Sequence, residues 1–264
     1  MLGYTLTLDI NNLTEGEFAQ IRKSIPEHGV ICVKNQSLSV SDLVKFTHRI
    51  GQPILLPEGL RFNNIEQAHP EIARVSNIKP DGTLLPNHGA AEYWHSDGDF
   101  WQPGKNYLFN LLYSEIVPDK GGETGFVDLR MAYDSLSPEF KSLIAEQEVV
   151  VSCKDIPDFK DARPDEIQPD AKHKISYLHP ETNRRGLYFG HSLATVSGLP
   201  PAVSSAIVKE LVAAIENPLF QYIHKYEKGD LLIWDNTSVM HRSMGGYGNS
   251  PRLLFRSQAF VSPL

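Results

Sequence analysis

The sequence predicts a mainly β fold, either a β sandwich or a jelly roll, with helices at its periphery. From Tyr107 onward, short β-rich runs recur at loop-rich intervals, which is typical of these architectures. Helical patterns interrupt the runs only briefly, so we expect the strands to form the layers and the helices to cover them. With 264 residues, 41% of them hydrophobic, the chain can bury a substantial core as one large domain or two small ones.

The chain before Tyr107 is predicted to contain two strands and two helices. A strand is expected at 5–8, and the Thr14–Glu17 capping box opens a helix that reaches about Ser24. Residues 30–33 form a short buried strand. A second helix starts at Ser39, with apolar positions at helical spacing: Leu43, Val44, Phe46 and Ile50.

The chain after Tyr107 is predicted to be mostly strand. Two stretches are predicted to be irregular, one before Tyr107 and one after it. Gly51–Ala91 is expected to cover one face of the molecule, and 154–174 is either a lid or a surface insertion. The predicted strands are 107–113, 125–127, 148–152, 175–178, 187–189, 220–226, 230–234 and 252–260, and the predicted helices are about 130–136, 138–146 and 200–216.

Charge and composition limit the classes of partner. A net charge of −7 argues against nucleic acid or an anionic membrane as the main partner. No apolar run approaches the roughly 20 residues of a membrane helix, and the first residues lack the pattern of a secretory signal. Cys32 and Cys153 each lie in an apolar strand-like run and are expected to be reduced core residues, which predicts a cytoplasmic protein.

The first candidate site is His95-Ser96-Asp97. On a strand, His95 and Asp97 project from the same face because side chains alternate with period two, and Gly98 permits a turn directly afterwards. With a second histidine, the pair would form the two-histidine, one-carboxylate ligand set of non-haem Fe(II) oxygenases. The alternative is a half-buried strand end whose His and Asp bond to the backbone.

A second histidine, His241, follows a strand and a turn. Gly229-Asp230 leads into an apolar strand, and Asp235-Asn236 redirects the chain, which could deliver His241 to the end of the first sheet. The alternative is an ordinary core or surface histidine.

Candidate anion-binding residues lie at two further places. Arg252 and Arg256 face the same way on a strand, and inward-facing guanidinium groups need anions, either a small-molecule carboxylate or internal acids. Thr124, in the turn Gly121-Gly122-Glu123-Thr124, could donate to a carboxylate or cap its own backbone.

These motifs together resemble one family. Trp-His-x-Asp, Gly-Gly-x-Thr, Gly-Asp-hydrophobic-Trp-Asp-Asn with a later His, and Arg-x-x-x-Arg occur here in the order found in the taurine dioxygenase/TfdA-type family of Fe(II)- and 2-oxoglutarate-dependent dioxygenases. The likeness runs from about Gly29 to the C-terminus. It implies one domain over 1–264 with a double-stranded β-helix, a cupin-like jelly-roll barrel.

The resemblance also implies roles for individual residues. His95, Asp97 and His241 would bind Fe(II), and Arg252 with Thr124 would bind the distal carboxylate of 2-oxoglutarate. Arg256 would hold an acidic group of the substrate. Trp234 would pack beside the metal.

The implied activity is oxidation of an unactivated C–H bond of a small carboxylate- or sulfonate-bearing molecule, with O2 consumed and succinate and CO2 released. Asp97 favours oxygenation, because halogenases of the family lack this carboxylate. Alternatives are desaturation, cyclisation or oxidative decarboxylation of an amino-acid-derived substrate, or a non-catalytic sensor. His69, Asn87, His88 and Tyr93 are possible substrate contacts, and a homo-oligomer is possible.

Overall fold

The computed structural model describes residues 2–55, 65–66, 68–79, 81–85, 91–103, 107–152, 169–191 and 194–264. Within these ranges the strands are β1 (Tyr4–Leu6), β2 (Val30–Val33), β3 (Gln52–Pro53), β4 (Ile65–Glu66), β5 (His69–Ser76), β6 (Leu108–Ile116), β7 (Thr124–Asp128), β8 (Glu148–Val151), β9 (Ala171–Lys174), β10 (Ser176–Leu178), β11 (Arg185–Leu187), β12 (Thr195–Val196), β13 (Gln221–His224), β14 (Leu231–Asp235), β15 (Val239–Ser243) and β16 (Leu253–Phe260). The α-helices are α1 (Glu15–His28), α2 (Val40–Ile50), α3 (Leu129–Ser135), α4 (Pro138–Ile144) and α5 (Pro201–Ile215).

Two sheets face each other. The larger has eight strands in the order β1-β2-β14-β6-β16-β5-β4, with β3 added to β16, and the smaller has the order β13-β7-β15. Apolar side chains fill the space between them, among them Leu112, Leu232 and Leu254 from the larger sheet and Phe126 and Val239 from the smaller. The predicted sandwich of strands, with helices outside it, is therefore confirmed.

The helices cover the outer faces of this sandwich. Ile25 of α1 and Phe46 of α2 share a buried cluster with Phe109 and Ile233, which lie on the opposite side of their strands from the inter-sheet core. The capping boxes at Thr14 and Ser39 are both present and fix where α1 and α2 begin. A third buried cluster packs α3 and α5 against the outer face of the smaller sheet.

The stretch 51–91, predicted to be irregular, contains an eight-residue strand that the sequence analysis missed. β5 pairs with β16 on one side and β4 on the other. Pro70 near its start removes a backbone donor and weakens the local strand signal, so the strand depends on its partners rather than on propensity. The described residues at both ends of 154–174 belong to β8 and β9 or lie beside them, and the predicted lid itself falls mostly outside the described residues.

Three other local predictions need correction. The helix α1 continues past Ser24 to His28, where Gly29, at φ 72°, ends it. The segment around His95 is not a strand but an isolated bridge followed by a turn. His241 lies not at the end of the first sheet but on β15, at one edge of the smaller sheet.

The one cysteine in the described ranges, Cys32, is free and buried on β2, as predicted. Cys153 lies outside those ranges. Among the residues that the structure describes, no helix has the length and apolar character needed to cross a membrane.

Candidate active site

The site is organised by the turn between β14 and β15, which carries the chain from the larger sheet to the smaller one. The Asp235 carboxylate is fully buried and accepts hydrogen bonds from Thr237 N (2.9 Å), Thr237 Oγ1 (2.7 Å) and Ser238 Oγ (2.9 Å). His179 Nε2 donates to the same carboxylate across 2.6 Å. These bonds satisfy a charge that would otherwise be costly to bury, and they fix the turn.

β15 then brings His241 against His95. Their backbones exchange two hydrogen bonds, His95 N to His241 O at 3.1 Å and His241 N to His95 O at 2.9 Å. Their ring centroids lie 4.3 Å apart, and the Trp234 ring lies 4.8 Å from that of His241. The two histidines are thus held by the backbone itself, and Trp234 packs where the family resemblance implied.

Asp97 is held by the next residue of the turn, Asn236. The Asn236 side chain accepts from Asp97 N (3.0 Å) and donates to Asp97 O (2.7 Å), so it pairs with the backbone as a neighbouring strand would. Gly98, at φ 63°, then turns the chain away, and a side chain there would collide with Trp101. Asp97 is therefore positioned by an amide pair rather than by the strand alternation that the sequence analysis assumed.

The three side chains converge. His95 Nε2 lies 3.9 Å from Asp97 Oδ1, and His241 Nε2 lies 3.6 Å from Asp97 Oδ2. One donor atom from each of the three residues lies within 4.8 Å of the others. The three residues come from two sequence-distant segments, and the fold places them together as predicted.

Burial and charge set the protonation of this group. Burial opposes ionisation of Asp97, but its neighbours, Arg256 foremost and then His241 and His95, outweigh burial and hold the pKa of Asp97 below its usual value. Burial, aided by His95, lowers the pKa of His241 to about 3 despite the Asp97 carboxylate. At neutral pH the group is therefore an anionic carboxylate beside a neutral His241 imidazole, the forms that bind metals.

The donor set fits a transition metal. Two atoms bonded to one ion at about 2.1 Å lie at most about 4.2 Å apart, and both His–Asp separations fall inside this limit. His95 Nδ1 lies 2.9 Å from the Tyr93 carbonyl, which can only accept, so Nδ1 carries a proton and Nε2 is the nitrogen that can bind a metal beside Asp97.

The next acidic residue, Asp99, is not part of this group. Its backbone carbonyl lies 2.7 Å from His173 Nε2, and its Oδ2 lies 3.7 Å from His191 Nε2. Burial, followed by the nearby Asp97 charge, raises the pKa of Asp99 to about 8. Of the two neighbouring carboxyls, Asp97 is the one that stays ionised.

A second polar group, around Arg252, lies between the sheets. Arg252 Nε and Nη2 donate to the Gly122 carbonyl at 3.2 and 3.0 Å, and the guanidinium lies 5.7 Å from the centre of the Tyr226 ring and 5.5 Å from that of Tyr247. A side chain at Gly122 would press on Arg252 Nε at 3.1 Å. Thr124 Oγ1 lies 2.8 Å from the Tyr226 hydroxyl, so Arg252 and Thr124 meet at the same ring.

Arg256 lies on β16, four residues after Arg252, and it also faces the interior, but its contact is with Asp97. Arg256 Nη1 lies 3.4 and 3.5 Å from the two Asp97 carboxylate oxygens. This is the internal acid that the sequence analysis left open as a partner for the pair of arginines.

Comparison with known proteins agrees with this geometry. Residues 3–258 match the model of the family described as "Taurine catabolism dioxygenase TauD, TfdA family". The chain belongs to this family. The predicted class of enzyme, an α-ketoglutarate (2-oxoglutarate)-dependent dioxygenase, is thereby confirmed, and the family implies 2-oxoglutarate and O2 as co-substrates.

Individual relatives cover most of this TauD/TfdA-family chain. The α-ketoglutarate-dependent 2,4-dichlorophenoxyacetate dioxygenase of Cupriavidus pinatubonensis is 30% identical over 244 residues, which are 86% of this chain and 82% of that protein. The (S)-phenoxypropionate/α-ketoglutarate-dioxygenase of Sphingobium herbicidovorans is 24% identical, over 96% of this chain and 89% of that protein. The crystal structure of AAD-2 in complex with Mn(II) and N-oxalylglycine is 25% identical, with a TM-score of 0.82 over 99% of this chain and 96% of that one. The jelly-roll assignment is confirmed.

This family member has a second cluster of metal-ligating residue types, in which Cys32, His224 and Asp230 are all buried. This cluster already contains a cation, because Lys34 Nζ lies 2.9 Å from Asp230 Oδ1. Both His224 nitrogens are engaged, Nε2 with Asp230 Oδ2 at 3.0 Å and Nδ1 with the Tyr222 hydroxyl at 2.9 Å. Burial raises the pKa of Cys32 to about 12, so its thiol stays protonated. The cluster is an internally satisfied network.

Four residues were predicted as possible substrate contacts, and the structure describes two of them, His69 and Tyr93. His69 Nε2 lies 3.1 Å from Ser41 Oγ of α2, on the outer side of the larger sheet, and the Tyr93 ring lies 5.2 Å from that of His95. Asn87 and His88 lie outside the described residues. Asn236 and Tyr226 have structural roles that were not predicted. Asn236 carried a signal in the sequence, an amide directly after a strand, whereas Tyr226 carried none.

The Asp235 turn gives a stability prediction. Asp235→Asn retains the shape but removes the charge that four donors share, so the free energy of unfolding at pH 7 should fall by about 2–4 kcal/mol in urea denaturation. Asp134→Asn, which changes an exposed carboxylate paired with Arg184, should alter it by less than about 1 kcal/mol.

The same pair of variants has a predicted pH dependence. Although burial opposes it, hydrogen bonding from His179 and Thr237 lowers the pKa of Asp235 below 3.8. The stabilisation is therefore present above the unfolded-state pKa and is lost as the pH falls through the folded-state pKa. The loss in free energy of unfolding caused by Asp235→Asn should therefore be smaller at pH 3 than at pH 7. Equal stability of the two variants at pH 7 would contradict the role of this turn.

Proposed function

We propose that this protein is an Fe(II)- and 2-oxoglutarate-dependent dioxygenase that oxidises an unactivated C–H bond of a small anionic substrate. The observation that carries the proposal is the convergence of His95, Asp97 and His241, with one donor atom from each within 4.8 Å. Two neutral imidazoles and one carboxylate leave positions open on a metal, the arrangement of non-haem Fe(II) oxygenases. Bound iron and 2-oxoglutarate supply O2 activation, with release of succinate and CO2.

The protein's own contribution at this centre is orientation and charge. His95 and His241 present their Nε2 atoms, and Asp97 supplies the one negative charge. Asn236 fixes the Asp97 backbone, and the Tyr93 carbonyl fixes the His95 tautomer. The backbone bonds that hold these groups together lower the entropy lost when a metal binds.

Arg252 and Thr124 are proposed to bind the distal carboxylate of 2-oxoglutarate. In the described part of the chain, the Arg252 bonds engage Nε and Nη2 only, which leaves Nη1 as a donor for an anion. A guanidinium with a hydroxyl beside it provides the charge-assisted hydrogen bonds that a carboxylate prefers. These residues fit the co-substrate by their donor chemistry.

Arg256 is proposed to hold an acidic group of the substrate. Its guanidinium is beside Asp97, hence beside the proposed metal, so an anion bound there would lie close to the reacting centre. The relatives named for 2,4-dichlorophenoxyacetate and phenoxypropionate have carboxylate substrates, which supports the same class here.

Hydroxylation is the proposed outcome, and desaturation, cyclisation or oxidative decarboxylation is the alternative from the same site. The presence of Asp97 favours oxygenation over halogenation. A sensor that binds 2-oxoglutarate without converting it would show no succinate release. A single domain over 1–264 is supported by the larger sheet, which contains both β1 and β16. The cytoplasmic location and a homo-oligomer stay predictions.

The first test is turnover of 2-oxoglutarate. Purified protein with Fe(II), ascorbate and O2 should release succinate, faster once a screen of small carboxylates and sulfonates finds a coupled substrate. Asp97→Ala removes the charged ligand and should reduce succinate release by at least about 100-fold, the cost expected when a catalytic group is lost.

The control is Asp134→Ala, which removes a carboxylate on the outside of α3 and should retain wild-type turnover. Circular dichroism and thermal unfolding establish that both variants fold. Wild-type succinate release by folded Asp97→Ala protein would refute the metal assignment.

The two arginines are separated by a second measurement. Arg252→Ala should raise the 2-oxoglutarate KM at least about tenfold, since it removes a charge-assisted hydrogen bond, with less effect on the KM of the coupled substrate. Arg256→Ala should mainly raise the KM of the substrate. If Arg252→Ala mainly raised the substrate KM and Arg256→Ala mainly raised the 2-oxoglutarate KM, the proposed roles of the two arginines would be exchanged.

A further inference from the structure

Tyr226 lies where the two residues proposed to bind the co-substrate carboxylate meet. It follows β13, it is 5% exposed, and its hydroxyl lies 2.8 Å from Thr124 Oγ1. Its ring centre lies 5.7 Å from the Arg252 guanidinium. No motif in the sequence singles out this residue.

The hydroxyl contact has a preferred direction once an anion is present. Thr124 has one hydroxyl hydrogen, and a carboxylate can only accept, so Thr124 can donate to it only if Tyr226 donates to Thr124. Burial raises the pKa of Tyr226 to about 12, so the phenol keeps its proton at neutral pH. Tyr226 therefore sets which way the Thr124 hydroxyl points.

The ring of Tyr226 also confines Arg252. The guanidinium lies 5.7 Å from the Tyr226 ring centre and 5.5 Å from that of Tyr247, and the Gly122 carbonyl accepts from its Nε and Nη2. These contacts hold the planar group in one orientation through cation–π attraction and hydrogen bonding.

The Tyr226 ring is held in place by a further contact, with the His224 ring. The His224 ring meets it edge-on at 4.8 Å, and His224 is bonded to Asp230 and Tyr222. The buried network of Cys32, His224 and Asp230 thereby holds the Tyr226 ring beside the proposed binding site for the co-substrate carboxylate. A ring held in this way loses little further freedom when an anion binds.

We propose that Tyr226 is a positioning residue for the co-substrate carboxylate, acting through the Thr124 hydroxyl and the Arg252 guanidinium. The inference rests on the proposed function, because it concerns the same pocket. Its effect is on 2-oxoglutarate binding, equally in the ground state and the transition state, and not on the oxidation step.

The test is Tyr226→Phe, which keeps the ring and removes the hydroxyl. The dissociation constant of 2-oxoglutarate is measured by calorimetry on Mn(II)-loaded protein, where no turnover intervenes. It should rise about two- to tenfold, the range for loss of one hydrogen bond. In Fe(II) turnover the 2-oxoglutarate KM should rise by the same factor, with kcat within about twofold of wild type.

Tyr113→Phe is the matched control, because it removes a buried tyrosine hydroxyl that contacts the backbone of Leu38 and Gln36 on the outer side of the larger sheet, away from Arg252 and Thr124. It should leave the 2-oxoglutarate dissociation constant unchanged. A purely structural effect of hydroxyl loss would appear in both variants, and thermal unfolding without ligand measures that effect separately.

A double-mutant cycle with Thr124→Val tests the route of action. If Tyr226 works through the Thr124 hydroxyl, Tyr226→Phe should have much less effect on 2-oxoglutarate binding in the Thr124→Val background. Unchanged binding by Tyr226→Phe, or fully additive losses, would overturn the inference while the proposed function stands. No 2-oxoglutarate binding by the wild type would overturn both.

Discussion

The turn at Asp235 and Asn236 is the constraint on which the rest of the site depends. It changes the chain from the larger sheet to the smaller one within a few residues, and both of its polar side chains are fully buried. Asp235 closes the turn by accepting four hydrogen bonds, and Asn236 pairs with the backbone of Asp97. One buried turn thus brings β15 with His241 to the same place as Asp97. Because a buried carboxylate and a buried amide must have partners, the bonds that stabilise the fold are also those that assemble the proposed metal ligands.

Burial also determines how the charged side chains between the two sheets are paired. A buried charge needs a partner, and two charges here have one: Asp97 is matched by Arg256, and Arg252 by a carbonyl and two tyrosine rings. Neither arginine has its donors fully used within the described residues, and both face the space between the sheets. A dicarboxylate and an anionic substrate would complete this arrangement, whereas a neutral pair of ligands would leave inward guanidinium groups poorly compensated. The charge pattern of the site therefore supports anionic ligands without reference to any relative.

Much of this arrangement could be predicted from the sequence, for identifiable reasons. Capping boxes are local, so the starts of α1 and α2 were predictable. Even spacing indicated that Arg252, directly before β16, and Arg256, on β16, face the same way, and both guanidinium groups contact interior groups. Pairing between distant strands is not local: β5 and β15 form because β16 and β7 lie beside them. The same limit applies to Asp97, whose position depends on a side chain 139 residues away, and to Tyr226, whose partners Thr124 and Arg252 come from two different sheets. The order of motifs identified the proposed ligands, while the groups that position them required the fold.

The central claim is that His95, Asp97 and His241 hold one metal ion. The most direct measurement is anomalous X-ray diffraction from crystals grown with Mn(II), recorded on both sides of the manganese absorption edge. We expect one strong anomalous peak within about 2.0–2.3 Å of His95 Nε2, an Asp97 carboxylate oxygen and His241 Nε2. The peak should be absent from crystals of the Asp97→Ala variant. A metal bound instead among Cys32, His224 and Asp230, or no peak between the two histidines of the wild type, would contradict the account.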